Sequence, residues 1–244
     1  MIKKVIKRVF DILFSLSGLL FFSPILIFFL ISVWRFDKKL PLYISPRIGK
    51  NSKIFNLIKI RTMTVDADKK GISSTSNNDS RIIPIGQKIR KYKIDELTQL
   101  FNVLIGNMSL VGPRPNVKSE VDLYTEIEKE LFSVKPGITD FSSIVFSDEG
   151  KILENKKNPD LSYNQLIRPW KSRLGLIYIK HQSIFLDLEL MIFTVVALIS
   201  KPRALKWVVK KLEKFNVDQK IIDVAKRDKE LFPFPPPGSD KIVV

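Results

Sequence analysis

The chain has 244 residues, enough for one ample domain or for one domain with attached segments. It contains no cysteine and a single histidine, His181, which excludes disulfides, cysteine-ligated zinc and any site built from several histidines. Its 41 basic and 25 acidic residues give a formal charge of +16, so a polyanionic partner is expected: nucleic acid, an anionic membrane surface or a phosphorylated substrate.

A run of 23 uncharged, mostly apolar residues fills positions 12–34. A membrane-spanning helix needs about 20 such residues, so this run predicts a membrane helix. Ser23-Pro24 lies near its middle, where proline removes a backbone donor, and basic residues flank both ends. Because positive charge tends to stay cytoplasmic, the pattern favours a re-entrant helix-break-helix that returns to the face it entered. The residues alone also allow a kinked spanning helix.

The next part of the chain predicts a mixed globule. Residues 40–63 alternate short apolar stretches with proline, glycine and basic residues, which indicates extended segments and turns. The polar stretch 66–80 is typical of a surface loop. Apolar spacing predicts an amphipathic helix that starts near Asp95, and helical stretches follow at 119–132 and 163–180.

Two further helical segments bear on membrane contact. Segment 183–200 is apolar, but Asp187 and Glu189 leave too short an uninterrupted stretch to span a bilayer, so it is predicted to pack on the globule or lie at the interface. Residues 201–215 combine one apolar face with lysines and a tryptophan, which suits an anionic membrane surface or an ordinary solvated helix. The proline-rich end is predicted to be extended or disordered.

Asp95 and Glu96 stand side by side in a strongly basic stretch. One interpretation is structural: Asp95 caps a helix and Glu96 favours its dipole. The other is chemical, because a helix start also attracts anions, and a carboxylate there stays ionised as a nucleophile or a magnesium ligand must be. Adjacent residues on a helix diverge by about 100°, so different roles are expected for the two carboxylates.

The order of residues around this pair is specific. The stretch "RIIPIGQKIRKYKIDELTQLFNVLIGNMSLVGPRP" at 81–115 closely resembles the signature of the bacterial sugar transferases, the monotopic phosphoglycosyl transferases. The resemblance runs from about residue 3 to residue 200. It includes the basic start with Ser23-Pro24, "NLIKIRTM" at 56–63, "VKPGIT" at 134–139 and "PWKSRLGLIYIKHQSIFLDLELMIFTVVAL" at 169–198.

The resemblance implies an activity. Such enzymes move a sugar 1-phosphate from a UDP-sugar to polyprenyl (undecaprenyl) phosphate and release UMP, as the first membrane step of exopolysaccharide, lipopolysaccharide or other glycoconjugate biosynthesis. By resemblance, Asp95 attacks the sugar-linked phosphorus and carries a covalent phosphosugar, and Glu96 binds Mg²⁺. The attack brings negative charges together, so fixed cations are needed. The candidates for binding the substrate phosphates are Lys59, Arg61, Arg90 and Arg114.

The resemblance also implies a fold, a membrane location and a set of partners. The expected fold is α/β and mostly helical, with a re-entrant membrane helix at 1–36, a small cytoplasmic catalytic domain at 37–200 with interfacial amphipathic helices, and a basic amphipathic helix with a flexible tail at 201–244. The expected place is the bacterial inner membrane, with the catalytic domain facing the cytoplasm. The expected partners are a UDP-sugar, polyprenyl phosphate and the cytoplasmic leaflet, not nucleic acid; homo-oligomerisation is left open.

Two departures from the family pattern stand out. Thr98 stands where the family commonly has proline, and little effect is expected. Residues 140–150 differ from the family pattern in a region expected to touch the sugar or nucleotide, so the identity of the transferred sugar is left undetermined. Two alternatives compete with this interpretation. One is a non-enzymatic membrane-anchored protein that binds anionic lipid or nucleic acid; the other is a metal-dependent transferase without a covalent intermediate.

Overall fold

We describe the protein from a computed structural model, which covers residues 2–67 and 79–243. The loop predicted at 66–80 therefore lies largely outside the described residues. The strands are β1 (Leu42–Ile48), β2 (Ile54–Ile60), β3 (Ser109–Val111) and β4 (Gly137–Thr139). The helices are α1 (Ile2–Asp37), α2 (Pro84–Lys91), α3 (Gln99–Leu104), α4 (Lys118–Val121), α5 (Glu126–Lys129), α6 (Phe141–Val145), α7 (Glu149–Ile152), α8 (Pro159–Leu166), α9 (Arg168–His181), α10 (Ile184–Ile199), α11 (Lys201–Lys214) and α12 (Gln219–Lys226). Short 3₁₀ helices occur at Lys50–Ser52, Ile94–Thr98 and Glu130–Ser133.

The amino-terminal helix α1 is continuous over 36 residues, with Pro24 inside it. The helical structure therefore continues through the predicted break at Ser23-Pro24, and the re-entrant path of α1 stays a prediction. Pro24 cannot donate a hydrogen bond to Leu20, four residues back, but the Ser23 hydroxyl donates to the Leu20 carbonyl at 2.8 Å. That side-chain bond replaces the missing backbone bond, so the helix passes through the proline. By length and composition, α1 is long and apolar enough to cross a membrane.

Both ends of α1 are tied to the rest of the protein. Near its start, Lys7 donates to Asp187 of α10 at 2.6 Å, and the buried Asp11 accepts from the Ser109 hydroxyl at 3.0 Å. At its end, Asp37 accepts two hydrogen bonds from Arg61, the residue directly after β2, at 2.7 and 2.8 Å. One globule therefore holds the helix at residues 7–11 and again at residue 37.

Two small sheets carry the loops of the site. Strands β1 and β2 form an antiparallel hairpin in which Tyr43 faces Lys59. Strands β3 and β4 pair in parallel. At the ends of these strands Gly112 and Gly137 approach so closely that a Cβ on Gly137 would lie 2.0 Å from the Gly112 nitrogen. Only glycine allows this approach, and it brings the "GPRP" and "KPGIT" segments together.

The core lies among α6, α9, α10 and α11. Trp170 and Tyr178 of α9, Phe141 of α6, Leu190 of α10 and Val208 of α11 are all buried. The mostly helical character predicted for the chain is confirmed. The helix predicted at 119–132 is wrong in detail, because two short helices and a 3₁₀ turn occupy that stretch. The interruption has a cause: Thr125 starts α5 with a capping box to Glu128.

The chain beyond residue 200 packs onto this core. Helix α11 buries the apolar face predicted for it, including Leu205 and Leu212. The final segment is extended rather than disordered, because Phe234 stacks on Trp170 with ring centres 4.4 Å apart. Helix α10 leaves a row of large apolar side chains exposed: Phe185, Ile192, Val195, Leu198 and Ile199.

Candidate active site

The 3₁₀ turn Ile94–Thr98 presents the two adjacent carboxylates. Lys93, immediately before it, has a left-handed backbone with φ 53° and makes no side-chain cap. Asp95 is the second residue of the turn, so the interpretation of Asp95 as the helix cap is wrong. Thr98 fixes the turn, since its hydroxyl bonds with the Ile58 and Asp95 carbonyls, both at 3.0 Å. The residue that replaces the common proline thus ties the turn to β2.

Glu96 is held by a two-pronged ion pair with Arg114. The guanidinium donates to Oε2 at 2.9 Å and to Oε1 at 2.7 Å, and it also donates to the Ile138 carbonyl at 3.3 Å. Burial raises the pKa of Glu96, but the positive charges of Arg114 and Lys59 outweigh it and hold that pKa well below its usual range. The Glu96 charge in turn raises the pKa of Arg114. The pair is therefore ionised throughout the physiological range.

Lys59 of β2 lies between the two carboxylates. Its Nζ is 3.3 Å from Glu96 Oε1 and 3.5 Å from Asp95 Oδ2. Within the part of the chain that the structure describes, this long contact is the one polar contact of the Asp95 carboxylate. Asp95 is only 7% exposed, yet its carboxylate oxygens are less occupied than those of Glu96. The two neighbours thus have different surroundings, as their predicted separate roles require.

The other two predicted phosphate ligands lie differently. Arg61 is buried, and besides Asp37 it donates to the Leu40 carbonyl at 2.8 Å. Its guanidinium joins β2 to the end of α1. Arg90 of α2 is half-buried, with Nη1 3.5 Å from the Thr62 hydroxyl. The structure brings Lys59 and Arg114 to the carboxylates. Phosphate binding by these two residues, by Arg61 and by Arg90 stays a prediction.

Lys93 belongs to the charged surroundings of the carboxylates, although no motif in the sequence assigned it to the site. Burial lowers the pKa of Lys93, the Glu96 charge opposes that shift, and the charges of Arg114, Lys171 and Lys59 add to it. The charges of Arg114, Lys59 and Lys93 all lower the pKa of Glu96, so Lys93 joins the cations that act on this carboxylate. Lys93 could have been found from its place two residues before Asp95.

A metal at this site would depend on Asp95 and Glu96. Among residues 2–67 and 79–243, no group of three or more acidic, histidine or cysteine side chains could hold a metal ion. Mg²⁺ does not need such a group, since one or two carboxylates, water and substrate phosphates usually complete its shell. Glu96, with the loosely held Asp95 carboxylate beside it, fits that donor set.

The family model described as "Bacterial sugar transferase" matches residues 2–201. This chain belongs to the bacterial sugar transferase family. The match includes α1, both sheets, the Asp95-Glu96 turn and helices α9 and α10. It ends at the first residue of α11, so the chain that follows lies outside the matched region.

Curated relatives agree with this assignment. The sugar transferase EpsL of Bacillus subtilis is 37% identical over 192 residues, which cover 78% of this chain and 86% of that protein. A putative undecaprenyl-phosphate N-acetylgalactosaminyl 1-phosphate transferase of the same organism is 46% identical over 135 residues, 55% of this chain and 71% of the relative. The UDP-glucose:undecaprenyl-phosphate glucose-1-phosphate transferase of Klebsiella pneumoniae is 34% identical over 198 residues, 80% of this chain but 40% of that protein. The chain is thus a transferase enzyme, and some of its relatives are much longer.

Proposed function

We propose that this protein transfers a sugar 1-phosphate from a UDP-sugar to a polyprenyl phosphate of the undecaprenyl type and releases UMP. The observation that carries the proposal is the pair of neighbouring carboxylates in different surroundings. Arg114 holds Glu96 through two hydrogen bonds. The buried Asp95 carboxylate has, among the described residues, one long polar contact, with Lys59. The names of the relatives support the substrate classes, since they include transferases of undecaprenyl phosphate and of UDP-sugars.

Asp95 is the proposed nucleophile. Its carboxylate oxygen forms a bond to the sugar-linked phosphorus while the bond from that phosphorus to the UMP oxygen breaks, and UMP leaves with the bonding electrons. In the second step a polyprenyl phosphate oxygen attacks the same phosphorus, and the Asp95 oxygen leaves with its electrons. The lipid-linked product carries two phosphates, and the carboxylate is restored.

The fixed cations support this displacement. An anionic nucleophile that approaches a diphosphate meets charge repulsion, which preorganised positive groups offset. Lys59 Nζ is within 3.5 Å of both carboxylates and can reach a phosphate oxygen placed beside Asp95. Arg114 is already oriented by Glu96 and by the Ile138 carbonyl. Its fixed position lowers the ordering cost of a substrate contact.

Mg²⁺ is the proposed cofactor, with Glu96 as the protein group that would hold it together with the substrate phosphates. When bound, such an ion neutralises phosphate charge and stabilises the transition state. Glu96 accepts hydrogen bonds at both oxygens, but each carboxylate oxygen has a second lone pair. Glu96 can therefore still bind the ion, while the Asp95 carboxylate stays available as the nucleophile.

A membrane-surface location agrees with the exposed apolar side chains. Helix α1 exposes Leu13, Leu20, Phe21 and Phe28, among others. One globule holds α1 near Lys7 and at Asp37, which supports a helix that enters and leaves on one face. We place the globule on the cytoplasmic face of the inner membrane, where a nucleotide-sugar is available. The exposed apolar row of α10 and the lysine-rich face of α11 are then the interfacial surfaces.

The test follows UMP release by the full chain in nanodiscs with polyprenyl phosphate, magnesium and a panel of UDP-sugars. Asp95→Asn should lower turnover by at least about 10³-fold, since the amide is a poor nucleophile. Asp122→Asn, at an exposed surface position, is the matched control and should keep full activity. With wild type, intact-protein mass spectrometry without the lipid acceptor should detect a phosphosugar on Asp95.

Two results would contradict the proposal. If the wild-type protein released no UMP with any UDP-sugar of the panel, a membrane-anchored binding protein would be favoured instead. Turnover without a phosphosugar on Asp95, or an active Asp95→Asn variant, would indicate direct transfer without the covalent intermediate.

A further inference from the structure

Helices α10 and α11 run antiparallel and touch along one side of each. The ring centres of Phe193 and Trp207 lie 5.3 Å apart. Four residues earlier on α10 and four residues later on α11, Glu189 accepts a hydrogen bond from Lys211 at 2.7 Å. A residue early in one helix thus pairs with a residue late in the other. These two contacts define the side on which each helix faces its partner.

The exposed faces of the two helices lie on the same side of this pair. Ile192 directly precedes Phe193, as Lys206 directly precedes Trp207, and one residue back along a helix is a rotation of about 100°. The rotation has the same sense about each helix axis, but the two axes point in opposite directions and the contact sides face each other. Both rotations therefore lead to the same side, so the apolar row of α10 and the lysine-rich face of α11 form one shared surface.

The α10 half of this surface is apolar and starts next to α1. Four exposed members of the row recur at spacings of seven, three and four positions, which return to one side of a helix: Phe185, Ile192, Val195 and Ile199. Lys7 of α1 donates to Asp187, two residues after Phe185, at 2.6 Å. The row therefore begins beside the helix that is proposed to enter the membrane.

The α11 half is basic and unpaired. Four exposed cations lie on it, and none makes a side-chain hydrogen bond or an ion pair with another described residue: Arg203, Lys206, Lys210 and Lys214. Glu213 is the single acidic residue of α11. Trp207, which contacts α10, is 40% exposed at the boundary between the two halves. Tryptophan is enriched where the apolar interior of a membrane meets the polar headgroups.

The combination of an apolar row and a basic face distinguishes between polyanionic partners. Nucleic acid would pair with the cations, but it would leave the apolar row facing water. A neutral bilayer would cover the row and leave the cations without a partner. An anionic bilayer meets both halves, because acyl chains cover the row and headgroup phosphates lie against the cations.

We propose that α10 and α11 together bind anionic phospholipids and concentrate them around the enzyme. This inference rests on the membrane-surface location in the proposed function and adds the class of lipid. The family match ends at residue 201, so the lysine-rich face belongs to the part of the chain outside it. Lipid selection is thus a property that the carboxyl-terminal segment adds to the family region.

The test uses Trp207 of the full chain as the reporter. Trp34→Phe removes the tryptophan of α1, and Trp170 is 1% exposed, so quenching by lipid reports on Trp207. The Trp34→Phe protein is placed in nanodiscs of phosphatidylcholine with a minor share of phosphatidylglycerol. Either the phosphatidylglycerol or an equal amount of the phosphatidylcholine carries brominated acyl chains, which quench tryptophan on contact. Brominated phosphatidylglycerol should quench about twofold more strongly, because each basic residue at the membrane surface attracts anionic lipid.

Loss of charge from the lysine-rich face should remove this preference. The combined variant Lys206→Gln, Lys210→Gln and Lys214→Gln should be quenched equally by the two brominated lipids. Arginine at the same three positions should keep the preference, because the charge is retained. A preference that survives the glutamine substitutions would place lipid selection elsewhere and overturn the inference.

A matched control removes the same charge from exposed positions outside α10 and α11. The combined variant Lys118→Gln, Lys129→Gln and Lys156→Gln should keep the preference. Quenching of Trp207 by neither lipid in the Trp34→Phe protein would mean that another protein surface, such as a second copy of the chain, covers this face. Equal quenching in that protein would mean bilayer contact without lipid selection, and either result overturns the inference. The readout needs no substrate, so a chain that releases no UMP would fail the transferase proposal alone.

Discussion

Asp95 and Glu96 are neighbours in the chain, but their carboxylates make different contacts. Glu96 receives both prongs of Arg114 and a contact from Lys59, and its pKa is held low despite burial. Among the described residues, the Asp95 carboxylate has one polar contact, with Lys59 at 3.5 Å. A carboxylate that accepts several charge-assisted hydrogen bonds is a weaker nucleophile than one that accepts few, so these contacts support the proposed roles. In that proposal Glu96 orders the cations, and Asp95 is the nucleophile.

Replacement of Arg114 by lysine tests this division at the residue scale. Lysine keeps the charge but cannot make two parallel bonds to Glu96 and a third to Ile138. We expect Arg114→Lys to lower kcat/KM for UMP release by about 10- to 100-fold, the cost of a lost charge-assisted hydrogen bond. The matched control is Arg203→Lys, at an exposed position on α11. Activity within twofold of wild type would mean that the two-pronged bond to Glu96 is not needed.

Residues near each other in the chain were predicted well, and residues joined over long distances were not. The apolar spacing found α10 and α11, and the motif around Asp95-Glu96 found the turn that carries them. The Lys7–Asp187 bond joins residues 180 positions apart, and the Arg61–Asp37 pair joins residues 24 apart. No local pattern encodes such partners, so the second attachment of α1 and the structural contacts of Arg61 came from the structure.

At the scale of elements, α1 shows why a local rule can fail. Proline normally breaks a helix, and the sequence predicted a break at Ser23-Pro24. Here the Ser23 hydroxyl donates a hydrogen bond to the Leu20 carbonyl, which Pro24 cannot reach with a backbone N–H. The helix also packs on both sides of the proline, since Gly18 lies against Leu100 and Leu26 and Val33 are buried. The tertiary contacts on both halves stabilise one continuous helix.

The attachment of both ends of α1 predicts its topology. The chain contains no cysteine, so single cysteines can be placed without background. We expect Lys4→Cys and Lys39→Cys to react with a membrane-impermeant maleimide from the same side of sealed vesicles. Glu130→Cys marks the side of the globule. Labelling of Lys4→Cys and Lys39→Cys from opposite sides would establish a spanning helix.

At the scale of the whole molecule, the last segment completes the core that the family region begins. Phe234 stacks on Trp170, and the Phe234 amide donates to the Gln165 carbonyl at 3.1 Å. The Pro235 carbonyl accepts from Arg173 at 2.9 Å, and the Pro237 carbonyl accepts from the Thr125 hydroxyl. The segment therefore joins α5, α8 and α9. Its proline content keeps it extended, which lowers the entropy lost on docking.

This docking predicts a contrast between two neighbouring phenylalanines. Phe234→Ala should lower the free energy of unfolding by about 2 kcal/mol or more, since it removes a stacked ring from a core tryptophan. Phe232→Ala should cost less, because Phe232 is 51% exposed and its ring centre lies 6.0 Å from that of Trp170. The measurements are thermal unfolding in detergent and the emission maximum of tryptophan, which should shift to the red in Phe234→Ala. Equal effects of the two substitutions would mean that the segment is not docked through Phe234.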